Sequence, residues 1–456
     1  MYAVHLLIIY RKASTVTHTT TLRRALGIPS LVFFGLVYMV PLTVFTTYGL
    51  VTVTTGGRVP VAYIVTLAAM LFTARSYARM AYAYPYAGSA YVYTQRSFGP
   101  HTGFLAGWAL LLDYLFLPML NYLVMSVYLS SWFPAVPKWV FIVAAIAVVS
   151  LLNVLGIMSV SWASFSIIAV QVIFIVVFVV MGLVSLSGHT VNPAAPFIGD
   201  GTTEGVGVIF TGAAILCLSF LGFDAVSTLA EEAKNPTRSV PRAIMLTTVI
   251  AGVLFIALSY LSQIFFPSNA FADVDSAPLD VMTAVGGKFF AVFFTAVFLS
   301  AAFGSALTSH ASVSRILYAM GRDGVLPGRI FGQLSARFAT PVAAILSVSI
   351  LSLAAILISL DLLVEVVSFG ALIAFSAVNL SVIKHYAIDR RERTGMAFAH
   401  NIVVPLIGFA LTVWLWTSLS ARSFYVGLGW LVLGVIILTL STRGFRRPTP
   451  MLSLKD

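Results

Sequence analysis

The chain has 456 residues, of which 60% are hydrophobic and only 9% charged, with a formal net charge of +11. A soluble domain carries roughly 25% charged residues, so this composition excludes a water-solvated surface over most of the length and leaves lipid as the solvent. The basic residues fall in short segments between apolar runs, which reads as membrane orientation and not as a nucleic-acid interface.

The chain opens on Tyr2 to Tyr10, apolar but too short to span, with Arg11 and Lys12 after it; a signal peptide would carry its charge first. Residues 1–27 therefore read as a tail. A crossing helix needs roughly 20 mostly apolar residues. Windows of that kind predict about twelve spans, at 29–53, 60–83, 101–130, 137–155, 162–186, 206–231, 242–266, 288–320, 340–359, 361–385, 401–420 and 423–442. The ninth and tenth divide near Asp361, and residues 444–456 form a second tail. The single cysteine, Cys217, lies inside the sixth span and excludes an intrachain disulfide or a cysteine-cluster metal site.

Basic residues orient the spans. With the first tail inside, all of the 26 lysines and arginines except Arg58, Lys138, Lys288 and Arg422 fall on the cytoplasmic side. That bias predicts both termini in the cytoplasm. The outer loops carry acids instead, Asp200, Glu204, Asp273, Asp275 and Asp280, read as solvated loop residues or as an attraction for cations.

Two spans carry breakers near their centres. The first reads Tyr38-Met39-Val40-Pro41-Leu42-Thr43, where Pro41 removes a backbone donor and clashes with the preceding turn. The sixth reads Ser219-Phe220-Leu221-Gly222-Phe223-Asp224, where glycine and an acid favour a local break. Breaks at corresponding positions of two halves point to the central site of a transporter; unrelated kinks are the alternative.

Longer motifs carry a resemblance. Ser219 to Asp224, continuing through Ala230-Glu231-Glu232-Ala233-Lys234-Asn235-Pro236 to Pro241-Arg242, resembles the sixth-span signature of the amino acid–polyamine–organocation superfamily. So do Ser314 to Pro327 after the eighth span and Tyr84-Pro85-Tyr86-Ala87-Gly88-Ser89-Ala90-Tyr91 before the third. Within it the chain is most similar to bacterial putrescine importers, through Gly107-Trp108, Leu112 to Met119, Ser309 to Arg315 and Pro41 to Phe45.

The resemblance implies an all-α membrane protein of two inverted five-helix repeats, residues 28–200 and 201–398, with two peripheral helices at 399–443 and broken first and sixth helices. It implies a bacterial cytoplasmic membrane, a small organic solute as partner, alternating access, no cofactor, and the proton gradient as the driving force. Monomer and homodimer both stay open. The importers it resembles carry an acid shortly after the first-span motif, where this chain has Thr46 and Thr47. The Gly-x-Gly amides with which many amino-acid permeases hold a substrate carboxylate are absent from the first break, and Pro41 supplies one amide fewer.

Candidate residues follow from position and chemistry. Asp113, inside the third span, needs a cavity or a partner, because a central carboxylate is unfavourable by roughly 2.5–3.5 kcal/mol. It is expected to bind an ammonium or to carry the coupling proton. Asp224 either caps the second half of the sixth helix or touches substrate. Phe220 and Phe223 flank the break, with Phe220 as a candidate gate, and Tyr38 offers an aromatic face to an alkylammonium. Tyr114, adjacent to Asp113, is expected to point elsewhere. The segment from Tyr38 through Met39, Val40, Pro41 and Leu42 to Thr43, and that from Ser219 through Phe220, Leu221, Gly222 and Phe223 to Asp224, are expected to line the site.

Glu365 is read as an outer gate or a side chain reaching to water, with a substrate contact as the alternative, and His310 as a satisfied interior histidine, with a proton relay as the alternative. Ser305, Thr308 and Ser309 are read as hydroxyls bonding nearby carbonyls, with a sodium site as the alternative. Glu231, Glu232, Lys234, Arg238, Arg315, Arg322 and Asp323 map to the inner face as a gate of ion pairs. No nucleotide-binding loop, metal-ligand cluster or nucleophile elbow suggests an enzyme. The alternatives to an importer of putrescine or a related cation are an amino-acid permease, by proton symport or exchange, and a passive channel.

Overall fold

The computed structural model describes residues 24–442, apart from 188–191, 202–204, 272–273, 275–276, 323, 325, 359 and 420. Most of both predicted tails, the acids Glu204, Asp273 and Asp275, and Asp323 of the predicted gate lie outside the described residues. The first part of the chain forms α1 (Ile28–Met39), α2 (Thr43–Thr46), α3 (Tyr48–Thr55), α4 (Val59–Ala83), α5 (Ser89–Phe98), α6 (Pro100–Trp132), α7 (Lys138–Leu155) and α8 (Ile157–Ser185). Next, α9 (Gly207–Leu216) continues into two 3-10 segments, Cys217–Phe220 and Asp224–Glu232. The remainder is α10 (Pro236–Phe265), α11 (Ala277–Arg322), α12 (Val342–Ser352), α13 (Leu360–Val382), α14 (Val404–Thr417) and α15 (Ala421–Ser441).

Among the described residues, eleven segments are long and apolar enough to cross a membrane, and Val342–Ile356 is a shorter apolar helix. Together they account for the spans read from the sequence. The 46 residues of α11 are not one rod: Gly286 and Gly287 are non-helical, with Gly287 at φ +69°, so the crossing part begins close to the predicted 288. Residues 342–356 are too few to cross a roughly 30 Å hydrocarbon layer as a helix and end in a 3-10 turn at Leu353–Ile356.

The outer surface is apolar. Leu151, Ile173, Leu183, Val253, Ile350 and Leu440 are each more than half exposed. In water such a surface would drive aggregation; in a bilayer it is the solvated face. Interior hydroxyls turn back on their own helices. Thr52 donates to the Tyr48 carbonyl at 2.6 Å and Ser262 to the Leu258 carbonyl at 2.7 Å. This keeps polar groups satisfied where no water reaches.

Small residues set the helix approaches. A methyl on Gly35 of α1 would come within 2.8 Å of Val226 Cγ2, and one on Gly304 of α11 within 2.7 Å of Val37 Cγ1. α1 is thus wedged between the sixth-span segment and α11. α6 packs against α5, α7, α11, α13 and α15, so its central turns have no lipid face. Trp108 on α6 and Trp430 on α15 hook the two together: each indole N–H donates to the other residue's carbonyl at 2.8 Å.

Candidate functional site

The first break begins where proline forbids the helix. Pro41 has no N–H, and the residue before a proline is pushed out of the α region. Val40 responds with φ +51° and ψ +96°, left-handed backbone in a β-branched residue, a conformation that stores about 1–3 kcal/mol. Its amide still donates to the Leu36 carbonyl at 3.0 Å, closing α1. Thr43 restarts the chain, its hydroxyl donating to the Met39 carbonyl at 3.0 Å.

The second break is made by glycine. After Cys217–Phe220, Leu221 is extended and Gly222 takes φ +126°. A Cβ on Gly222 would overlap Tyr38 Cδ1 and come within 3.0 Å of Met39 Cγ, so the two breaks touch. The helix resumes at Asp224, whose Oδ1 accepts from the Gly222 amide at 3.2 Å. Its Oδ2 accepts from the Tyr114 hydroxyl at 2.5 Å. Asp224 is fully buried and caps the second half-helix. Tyr114 was expected to point elsewhere because it neighbours Asp113 on a helix; α6 is enclosed all round, so both residues face protein.

A cavity with about 660 Å³ of empty space, counted to where it opens, lies against both breaks. Tyr38, Met39, Val40, Thr43 and Thr46 form one wall and Leu218 and Leu221 another; α6 adds Leu117 and Asn121, and α11 adds Phe298 and Ser305. Of the predicted lining residues, Tyr38, Met39, Val40, Thr43 and Leu221 reach it. Pro41, Leu42, Asp113, Ser219, Phe220, Gly222, Phe223 and Asp224 are buried but do not line it. The aromatic flanks are used in packing: Phe220 meets Phe255 edge-on at 5.3 Å, and Phe223 lies 5.1 Å from Phe375. Ser219 shares a 3.2 Å hydrogen bond with Tyr63.

Asp113 is fully buried on α6, within electrostatic reach of Tyr38, Cys217 and Asp224. Neither of its carboxylate oxygens, nor the Tyr38 hydroxyl, has a hydrogen-bond partner among the described residues. The side chain of Glu365 lies outside the described residues. His310 is held at both nitrogens: Nε2 donates to the Ile345 carbonyl at 3.1 Å, which leaves Nδ1 to accept from the Tyr122 hydroxyl at 3.0 Å. Thr308 and Ser309 donate to carbonyls of their own helix, at 3.0 Å to Gly304 and 2.6 Å to Ser305.

The sequence reading missed Asn121. Its amide donates to Ser305 Oγ at 3.0 Å, and Ser305 donates to the Tyr38 carbonyl at 3.0 Å. The chain of bonds ties the end of α1 to α6 and α11 at the cavity wall. A signal existed: Asn121 lies eight residues after Asp113, two turns along the same helix face. Asn121→Ala is expected to raise the half-saturating substrate concentration roughly fivefold, the effect of about 1 kcal/mol for a lost hydrogen bond, with expression unchanged. Uptake measured against substrate concentration checks this.

The opposite end of the bundle is closed. Arg315 pairs with Glu232, both buried, and Arg315 Nη1 also donates to the Ala311 carbonyl at 2.9 Å. Arg322 Nη1 meets Glu231 Oε1 at 2.8 Å, and that carboxylate accepts from the Ala87 amide at 3.2 Å. The segment before α1 is laced in: the Ala25 and Leu26 amides donate to the Glu232 carbonyl, and the Lys234 amide to the Leu26 carbonyl at 2.9 Å. Glu231 and Arg315, both expected in the gate, thus sit in separate pairs. The cavity lies on the other side of the breaks, between the later part of the first span and the earlier part of the sixth.

A closed bundle that holds a solute-sized cavity against two interrupted helices is the anatomy of a secondary transporter. The sequence comparisons agree: the amino acid permease model matches residues 30–451, and the chain belongs to that family of multi-pass membrane transporters. It is 40% identical to the low-affinity putrescine importer PlaP of Escherichia coli over 95% of this chain and 97% of that one. It is 26% identical to the branched-chain amino acid permease BcaP of Bacillus subtilis, covering 93% and 94%. It is 30% identical to the cationic amino acid transporter 4 of Mus musculus, covering 80% of this chain and 60% of the relative.

Proposed function

We propose that this permease imports putrescine or a closely related organic cation by alternating access, driven by the proton gradient. The observation that carries the reading is how the half-helix ends are used. α1 and the Cys217–Phe220 segment both end beside the cavity and turn the negative ends of their dipoles toward it, which favours a cation. The amide ends that would favour a carboxylate are spent: Pro41 has none, and Asp224 already accepts the Gly222 amide. An α-amino acid's carboxylate finds little to hold it, whereas an ammonium finds the Tyr38 face and the field of the buried Asp113 carboxylate. The PlaP relative, named as a putrescine importer, agrees with a diamine.

In this reading residues 28–200 and 201–398 are two inverted repeats, each contributing one break. Residues 399–443 are peripheral, and the tails at 1–27 and 444–456 are cytoplasmic. The membrane is a bacterial cytoplasmic membrane, crossed with both termini inside. Asp113 holds the ammonium or the coupling proton, and the Glu232–Arg315 and Glu231–Arg322 pairs form the inner gate. Phe220, packed on Phe255, becomes a gate only by a rotation when substrate enters.

Proteoliposome uptake tests it. Putrescine should accumulate above its external concentration under an imposed proton gradient, and excess arginine or leucine should compete weakly. Asp113→Asn should remove accumulation. Accumulation would rule out a passive channel, and equilibration without it would remove the proton coupling. Strong competition by amino acids without putrescine entry would favour the amino-acid reading, consistent with the names of the BcaP and cationic transporter relatives. Wild-type, pH-dependent uptake by Asp113→Asn would remove that residue from the site.

A further inference from the structure

We propose that a basic cavity at the gate end of the bundle, away from the transport pathway, binds the phosphate of an anionic phospholipid. The cavity has about 820 Å³ of empty space, counted to where it opens, and is lined by Arg75, Arg79 and Tyr82 of α4, Pro241 of α10, and Tyr386, Arg390 and Glu392 beyond α13. Arg75 and Arg79 stand one turn apart on one helix face. Arg390 reaches the same space from the other side.

The site is built in advance. Arg79 Nη2 donates to Asn401 Oδ1 at 2.6 Å, and its guanidinium lies 4.0 Å from the centre of the Tyr386 ring. The Tyr386 hydroxyl donates back to the Arg79 carbonyl at 3.2 Å. Arg79 Nε is buried with no hydrogen-bond partner. Arg390 lies over the same ring at 5.5 Å. Two guanidinium groups on one tyrosine repel each other, and a third positive charge from Arg75 adds to the field. The only acid on the wall is Glu392, and among the described residues no ion pair joins it to any of the three arginines. The wall therefore carries a surplus of cationic donors in a geometry suited to phosphate oxygens.

The surroundings select a lipid over a free anion. Tyr82, at the rim, is 61% exposed, as expected of an aromatic at a headgroup boundary. Further along α10 from Pro241, Leu246, Val249 and Val253 are exposed apolar side chains, a surface for acyl chains. Basic pockets between helices at a membrane face are a general form of headgroup site. The choice of leaflet rests on the charge-based orientation proposed above; the site itself does not.

The test is lipid binding to the whole purified protein in detergent, read by native mass spectrometry, which depends on neither orientation nor transport. The probes are phosphatidylglycerol and phosphatidylcholine with matched chains. The variant is Arg75→Ala with Arg390→Ala; both residues are exposed, and Arg79 is kept because it bonds Asn401. Wild type should prefer phosphatidylglycerol, and the variant should lose roughly fivefold in affinity for each arginine removed. Millimolar inorganic phosphate should leave the lipid in place. Equal binding of the two lipids, or undiminished binding by the variant, overturns the site. Displacement by inorganic phosphate overturns the lipid and makes the pocket one for a free anion.

Discussion

Gly222→Ala should abolish transport while the protein still reaches the membrane. Two effects add at this residue. Its φ of +126° is one that side-chain-bearing residues rarely adopt, at a penalty of about 1–3 kcal/mol. The new methyl would also overlap Tyr38, and overpacking of this kind is unfavourable by about another 1–3 kcal/mol. Relief requires either the Tyr38 ring or the 221–223 segment to move, and each displaces a wall of the cavity. Uptake should fall by about two orders of magnitude, with a normal monodisperse elution profile. Near-normal uptake would mean that the contact between the breaks does not shape the site. Tyr38→Ala in the same chain should not restore uptake, since it removes the clash but leaves the backbone strain and takes away a wall of the cavity.

Arg315→Ala should open the end of the bundle that the ion pairs close, the inner end in the proposed orientation. Removing one member of a buried ion pair leaves the other charge uncompensated, an effect of about 3–5 kcal/mol. The closed arrangement contains the pair and an open one exposes it, so the penalty falls on the closed state. A shift of that size moves the balance by about two to four orders of magnitude. Ser227→Cys, placed on the closed side with Cys217→Ala as background, should react with an impermeant maleimide from the inner face far faster in the Arg315→Ala chain, and accumulation should be lost. Replacing both partners, Glu232→Gln with Arg315→Met, removes the uncompensated charge and should restore much of the protection. Unchanged labelling in Arg315→Ala would place the gate elsewhere. Arg322→Ala should act weakly, because the Glu231–Arg322 pair is partly exposed and such pairs contribute about 0–1 kcal/mol.

The spans and both breaks were legible because their causes are local. A run of apolar residues, a proline, or a glycine followed by an acid acts through its own backbone. The pairings were not legible. Nothing near Tyr114 shows that it reaches Asp224, since the two are brought together only when α6 and the sixth span pack. The reading that it points away assumes a helix with one buried face, and the central turns of α6 have no exposed one. Asn121, Ser305 and the Tyr38 carbonyl form one chain of bonds from three distant segments. Phe220 and Phe223 looked like substrate contacts because they flank the break, yet in a chain with 34 phenylalanines most rings are packing, and these two pack on Phe255 and Phe375. Charge placed Glu231 and Arg315 at one end of the bundle but did not say that each takes a different partner.

The two interruptions differ in kind. At Pro41 the missing amide is covalent, absent in every conformation, and Val40 is held out of the helical region by its neighbour. That interruption is permanent, and its ordering entropy is settled when the protein folds. Gly222 keeps its N–H and carries no side chain, so a small turn of its dihedrals is enough to realign the segments on either side. The first interruption is therefore fixed by its covalent structure, whereas the second rests on a residue whose backbone is free to turn.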